Sequence, residues 1–454
     1  MNAESAERKK RNAEKFKKKN GQDICSVLPQ ANPSFCLPLR SFSPPLRTLR
    51  SSLRSAAKKQ AIKGHDMFSF YDIIGRTWAE KAGIDSVLQI LDQQVFRAFF
   101  SVVLSFLFVI ALGPKVIAVL RQKKIGDTGV TDAAMLQDVA SKKKNTPTMG
   151  GILIAAAILF STVMMADLSN FYVLLGIIVM VWLAVLGGVD DYFKLTAAMR
   201  QGGRQGLYGW EKLVFQFGLG ALVCWFCFNH GDTGKGLDMA HVLNVPFQKT
   251  YKNILGEPAD GLIFLSRIGF VVLGMMMITG LSNAVNITDG LDGLASGVTS
   301  AVGLGLLVLG LIAGKDTWAN YLLVPHVPGS GELAIIAGGM AGACLGFLWF
   351  NCSPADVFMG DTGALALGGL IGYIATVVRQ EILVLFMCGV FLFEILSVIM
   401  QVGYFKATGK RIFKCAPVHH HLHQSGWQET RIVTRAWIVA VLLVVLSLAL
   451  IKLR

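Results

Sequence analysis

Residues 96–120 read FRAFFSVVLSFLFVIALGPKVIAVL, an apolar run long enough to cross lipid as one helix. Roughly 20 helical residues at about 1.5 Å each cover a hydrocarbon core of ~30 Å. Nine more such runs follow, at about 148–166, 170–189, 211–229, 262–282, 294–313, 333–350, 363–378, 382–404 and 434–452. The expected fold is all-α, a polytopic membrane protein of ten transmembrane helices. An even number of spans puts both ends of this body on one side of the bilayer.

The composition agrees. Of 454 residues, 53% are hydrophobic and only 16% charged, where a soluble domain keeps about 25% charged. The 48 glycines fit membrane helices, which carry more Gly than soluble ones. Eight cysteines show no paired zinc spacing, and the Cys224–Cys227 C-x-x-C lies inside an apolar run, as ordinary small helix residues do.

The net charge of +14 is concentrated at one end. Residues 1–65 hold 15 Lys and Arg against Glu4, Glu7, Glu14 and Asp23, whereas the rest of the chain holds 28 basic and 25 acidic residues. A nucleic-acid partner would rest on that tail alone, so none is expected. Residues 1–66 are read as a basic, disordered N-terminal extension and 67–454 as the ten-helix domain. The tail has no apolar stretch of the secretory kind. A translation start at Met67 is the alternative.

Short loops with excess Lys and Arg mark the cytoplasmic side. The loop after span one carries Arg121, Lys123, Lys124, Lys142, Lys143 and Lys144. The loop after span three carries Lys194, Arg200 and Arg204, and the loop after span nine Lys406, Lys410, Arg411, Lys414 and Arg431. Odd-numbered loops are therefore expected in the cytoplasm and the termini outside. The basic tail would then sit on the wrong side, which favours the Met67 start.

The polar residues gather on those same loops. Asp190 and Asp191 end span three. Asn283, Asn286, Asp289 and Asp292 follow span five in SNAVNITDGLDGLASG. Asn351 and Asp361 bracket NCSPADVFMGDTG, and His419, His420, His421 and His423 lie between spans nine and ten. A carboxylate at the bilayer centre costs roughly 2.5–3.5 kcal/mol, and less at the interface. One such acid is as often a helix cap as a site. Five on one face make a negative pocket that calls for a cation. Carboxylates and amides favour magnesium, calcium or manganese. Magnesium uses one or two carboxylates with substrate phosphates and water, which suits phosphoryl chemistry on a diphosphate. Adjacent Asp190 and Asp191 also offer a base, since like charges so close raise one pKa. The histidines, with Lys410, Arg411 and Lys414, suit an anion; a solvated basic loop is the plainer reading. There is no H-E-x-x-H, no G-x-G-x-x-G and no Walker A loop. Phe358 could stack a base or anchor at the interface.

Five blocks carry a resemblance. They are TPTMGG at 146–151, GGVDDYFK at 187–194, NAVNITDGLDGLA at 283–295, GFLWFN with PADVFMGDTGALALGG across 346–369, and PVHHH at 417–421. In this order they resemble the phospho-N-acetylmuramoyl-pentapeptide transferase family, within the polyprenyl-phosphate N-acetylhexosamine-1-phosphate transferases. The resemblance runs from about residue 70 to the C-terminus. It implies ten helices in the bacterial inner membrane, both ends outside, and an active site on the cytoplasmic face. The implied reaction takes UDP-N-acetylmuramoyl-pentapeptide and undecaprenyl phosphate to lipid I and UMP, with Mg2+ as cofactor. Residue by residue, it implies Asp361 as the metal ligand and Asp190 as the base, with Asp191 beside it. Asp289 and Asp292 match essential acids. Gly290, Leu291, Asp292 and Phe358 match the uridine pocket, and Asn286 and Asn351 match polar substrate-binding positions. Lys142, or one of its neighbours Lys143 and Lys144, matches a nucleotide-binding lysine. His419, His420 and His421 match the motif that separates this branch from those using N-acetylglucosamine. Direct attack by the lipid phosphate and a two-step route through a phospho-Asp both fit these residues.

Two other readings compete. One is a transferase of another N-acetylhexosamine phosphate to the same lipid for a different cell-wall polymer, against which PVHHH argues. The other is a transporter, which would place its site near the midplane. The glycines at 338, 339, 342 and 346 make a small-residue face that packs helices within one subunit, or between two in a homodimer. Because the tail holds none of the five blocks, deleting residues 2–66 is expected to leave turnover per folded molecule nearly unchanged.

Overall fold

The computed structural model describes residues 89–122, 146–197, 206–232, 238–251 and 258–451. The expected extension 1–66 and Lys142, Lys143 and Lys144 lie outside the described residues. Within them the chain is helical: α1 Gln94–Gln122, α2 Gly151–Met165, α3 Phe171–Ala197 and α4 Gly209–Gly231 come first. A short antiparallel ribbon pairs β1 Val242–Leu243 with β2 Ile263–Phe264. Then follow α5 Arg267–Thr288, α6 Leu294–Gly314, the short α7 Asp316–Leu322, α8 Leu333–Asn351 and α9 Gly360–Val377. The chain closes with α10 Glu381–Met387, α11 Gly389–Thr408, α12 Val418–Gln424 and α13 Glu429–Leu450.

Among the described residues, nine helical segments are long and apolar enough to cross a membrane, and α2 is a shorter apolar helix of 15 residues. Each of the ten expected spans has its helix, so the chain is an all-α, multi-pass membrane protein. Three boundaries differ. Span five begins at Arg267 rather than 262, because Ile263 and Phe264 are held extended in the ribbon and Ser266 caps the helix by accepting from the Gly269 N–H. Span nine is broken at Cys388 into α10 and α11. Span three continues to Ala197, so Asp190 and Asp191 sit on the helix, about two turns before its end, and not after it. Its 27 residues make a rod of ~40 Å, longer than the ~30 Å hydrocarbon core.

Burial follows from the solvent. On the lipid-facing α11 the buried residues are Phe391, Glu394 and Ser397, while Phe393, Leu396 and Ile399 are exposed. Lipid tails solvate such apolar faces, so nothing drives them inward. At the centre α9 is enclosed, with every residue from Asp361 to Val377 buried. It packs between α3 and α5. Gly187 of α3 lies directly against the Asp361 carbonyl, and a side chain there would collide with it. The glycine face of α8 is used inside the chain. Gly338, Gly342 and Gly346 receive α1, and Gly339 meets Ser161 of α2.

A buried ion pair ties one end of this bundle. Arg97 donates to both oxygens of Glu332, at 2.7 and 2.9 Å, and to the Met165 carbonyl. Glu332 also accepts from Gln94 and from the Asp167 N–H. Glu332 just precedes α8, while Asn351 at the far end of that helix belongs to the cavity described below. At ~1.5 Å per residue the two are separated by about 28 Å. Breaking one partner of a buried pair costs about 3–5 kcal/mol. Glu332→Ala is therefore expected to lower thermal stability in detergent by about that amount while leaving turnover per folded molecule close to normal. An unchanged melting curve would contradict this account of the pair.

Candidate active site

The ends of α3, α5 and α8 and the start of α9 converge on one face around a cavity of about 290 Å3. Of the residues singled out from sequence, Asp191, Asn286, Asp289, Gly290, Leu291, Asp292, Asn351, Phe358 and Asp361 line it. Thr148, Lys194, Leu195 and Gly360 complete the wall.

The wall is built by loops braced on one another. The TPTMGG stretch runs beside residues 358–360: Phe358 N–H donates to Pro147 O, and Gly150 N–H to Phe358 O, both at 2.8 Å. The loop between α5 and α6 turns at Gly293, whose φ of +79° suits a residue without a side chain. Asn351 accepts from the Gly293 N–H and the Ser296 hydroxyl, and donates to Val357 O. Its amide thus braces two loops at the cavity wall. Asp292 likewise accepts from the Ala355 N–H. From α13, Glu429 accepts from the Asp292 N–H and the Trp437 indole donates to Gly293 O.

The acids divide by what holds them. Asp191 accepts from the Asp361 N–H, the Thr362 N–H and the Thr362 hydroxyl. It caps α9 from α3, placing negative charge at the positive end of that helix. Asp190 is fully buried and lies behind the cavity wall. Its Oδ1 accepts from the Leu207 N–H, and its Oδ2 meets the ammonium groups of Lys194 and Lys212, each at 2.7 Å. The same two ammonium groups reach Asp361 Oδ2, at 3.0 and 2.7 Å. Asp361 Oδ1 accepts from Asn286 at 2.9 Å. Two lysines therefore bridge the two acids.

From sequence Lys194 stands out only as a topology marker, and Lys212 not at all. Their signals were Lys194 four residues after Asp190 on one helix face, and Lys212 at the start of an apolar helix. Asp289 closes α5. Burial, then the carboxylates of Asp361 and Asp191, push its carboxyl up to about 7.

The three histidines separate. His419 is buried, with Nδ1 3.1 Å from Glu394 and Nε2 packed against Gly290 of the cavity loop. The His420 ring stacks at a tilt on His419, at 4.2 Å. His421 accepts from the Lys414 N–H and braces its own loop. Among the described residues, no group of three or more His, Cys, Asp or Glu is placed to hold a metal alone.

The raised Asp289 carboxyl has a stability consequence. The unfolded chain ionises this group near pH 4 and the folded chain near 7, so stability falls as pH rises through that window. In EDTA, Asp289→Asn is expected to melt higher than the parent at pH 8, with the gain shrinking towards pH 5. A gain independent of pH would contradict the raised Asp289 carboxyl.

Residues 171–379 match the family model described as Glycosyl transferase family 4. Residues 143–154 match the Phospho-N-acetylmuramoyl-pentapeptide-transferase signature 1. The longer match runs from α3 to just past α9 and includes Asp190, Lys212, Asp289 and Asp361. The shorter covers the TPTMGG stretch.

Proposed function

We propose, on the premise that this chain belongs to the phospho-N-acetylmuramoyl-pentapeptide transferase family, that it moves phospho-N-acetylmuramoyl-pentapeptide from UDP to undecaprenyl phosphate, releasing UMP. The family supports the coarser statement directly: the chain is a membrane-embedded glycosyl-1-phosphate transferase acting on a polyprenyl phosphate. The named donor and acceptor, the bacterial inner membrane and a cytoplasmic active site are the finer reading. The basic odd-numbered loops support that orientation.

The observation that carries the reading is the Lys194–Lys212 bridge between Asp190 and Asp361 beside an open polar cavity at the helix ends. A nucleotide can enter from solvent while a lipid phosphate arrives at the interface. Two ammonium groups and several carboxylates suit a phosphate-rich ligand that brings a divalent cation.

The residues fit magnesium. Oxygen donors predominate, and a divalent cation would offset both the burial and the neighbouring carboxylates that raise Asp289. The lack of a three-ligand cage among the described residues agrees with an ion held by one or two carboxylates plus substrate phosphates. Asp361, with Asp289 beside it, would hold the ion. When bound, it would neutralise diphosphate charge and favour departure of UMP.

The chain's own residues do the rest. Lys194 is 47% exposed at its side chain, so an incoming phosphate can draw its ammonium from Asp190. That leaves Lys212 as the remaining ammonium on Asp190 Oδ2, and Asp190 would then accept the proton of the lipid phosphate. In the direct route a lipid phosphate oxygen then attacks the β-phosphorus, and the bond to the UMP oxygen breaks. In the two-step route an Asp carboxylate attacks the β-phosphorus first and expels UMP, and the lipid phosphate oxygen then displaces the carboxylate. Gly290, Leu291 and Phe358 would seat the uridine, and His419 would face a phosphate.

UMP release by the purified protein, given undecaprenyl phosphate and magnesium, tests the reading. Turnover is expected with UDP-N-acetylmuramoyl-pentapeptide, not with UDP-N-acetylglucosamine, and is expected to stop in EDTA. Asp361→Asn is expected to remove it while membrane insertion persists. Release only from the N-acetylglucosamine donor would move the chain to another branch of the transferases, and full turnover by Asp361→Asn would sink the metal assignment.

A further inference from the structure

We infer that Glu394 is a positioning residue, which orients the His419 ring through Nδ1 so that Nε2 is presented to the cavity loop at Gly290. The inference rests on the reading above that His419 faces a substrate phosphate.

Glu394 is a buried acid on a helix that otherwise shows lipid an apolar surface. An ionisable group within a membrane span is costly, so its partner indicates its use. The partner is the start of α12. Glu394 Oε2 lies 3.1 Å from His419 Nδ1 and accepts from the His419 N–H at 3.3 Å. One turn along the same face, Ser397 accepts from the Val418 N–H at 3.1 Å and donates to Glu394 O at 2.6 Å. Two successive residues of α12 are thereby fixed by two polar residues of α11.

The far side of the ring makes the arrangement directional. His419 is 1% exposed, and its buried Nε2 has no hydrogen-bond partner among the described residues. That nitrogen lies against Gly290, where any side chain would overlap it. A carboxylate on one ring nitrogen holds a proton there and fixes the ring's orientation, leaving the other nitrogen to act. With both ring nitrogens protonated, Nε2 donates to a phosphate oxygen. The ligand class for that nitrogen is an anionic oxygen at the loop that carries Asp289 and Asp292.

The test is a kinetic cycle on the full chain with both substrates, comparing the parent, E394Q, E394D, H419Q and the E394Q/H419Q double variant. E394Q keeps an acceptor of the same shape and removes the charge. It is expected to lower kcat on the order of 10- to 100-fold, as loss of a ligand's supporting partner does, with KM for both substrates little changed. E394D is expected to recover part of that loss. In the double variant the Glu394 change is expected to add nothing to H419Q. Losses that multiply in the double variant would overturn the inference, because Glu394 would then act independently of His419. So would parental kcat in E394Q. Full turnover by H419Q alone would refute the phosphate-facing reading of His419 itself, and that result is read from a single variant. If E394Q fails to fold, E394D in both His419 backgrounds gives the same comparison.

Discussion

Asp191 accepting from the first amides of α9 is the contact on which the site depends. An α-helix begins with amide groups that have no partner inside the helix, and near lipid they must find one. Here the partner comes from α3. Gly187, one turn earlier, lets that helix close onto the Asp361 backbone. Together the cap and the glycine fix where α9 starts, and Asp361 is in its first turn. Asp190 is adjacent to the capping acid on α3, so the same contact brings Asp190 and Asp361 within reach of the same two lysines.

The lysine bridge follows from that placement. Two carboxylates forced together by packing repel unless cations lie between them. Lys212 is largely covered at 15% side-chain exposure, whereas Lys194 is far more open. One ammonium therefore acts as a fixed counter-charge and the other as an exchangeable one. An anionic ligand at the cavity would compete for the exchangeable cation, leaving Asp190 with Lys212. Asp289 has no such ion pair among the described residues, and burial, then the carboxylates of Asp361 and Asp191, hold it up near neutrality.

Much of the fold was legible because length and apolar character alone define a membrane span. The misses have local causes. Ile263 and Phe264 are apolar and join an apolar run, but nothing in their identity announces a ribbon partner twenty residues earlier. The run 382–404 is continuous in sequence, so its break at Cys388 was invisible to hydropathy. The acids of the site were legible as a set, since their motifs fall on one face. Their division of labour was not. Asp190 and Asp191 are neighbours in sequence, yet one holds two lysines and the other caps a helix about 170 residues later, at the Asp361 and Thr362 amides. Lys212 carried no motif, and only the fold shows it beside Asp361.

Glu394 is the instructive case, because its signal was present. An acid in the middle of an apolar span requires a partner, and His419 lies 25 residues on, in a stretch already singled out. What the sequence lacked was the angle between α11 and α12, which decides whether Glu394 meets that histidine or some other group. The same reasoning separates the two lysine-held acids from the Arg97–Glu332 pair. Both are buried ion pairs, but the second has every carboxylate oxygen met by fixed donors within the bundle. The first has Lys194 half open to solvent at a cavity mouth. A pair whose cation can leave for a ligand is suited to chemistry, and a pair whose cation cannot is suited to holding helices together.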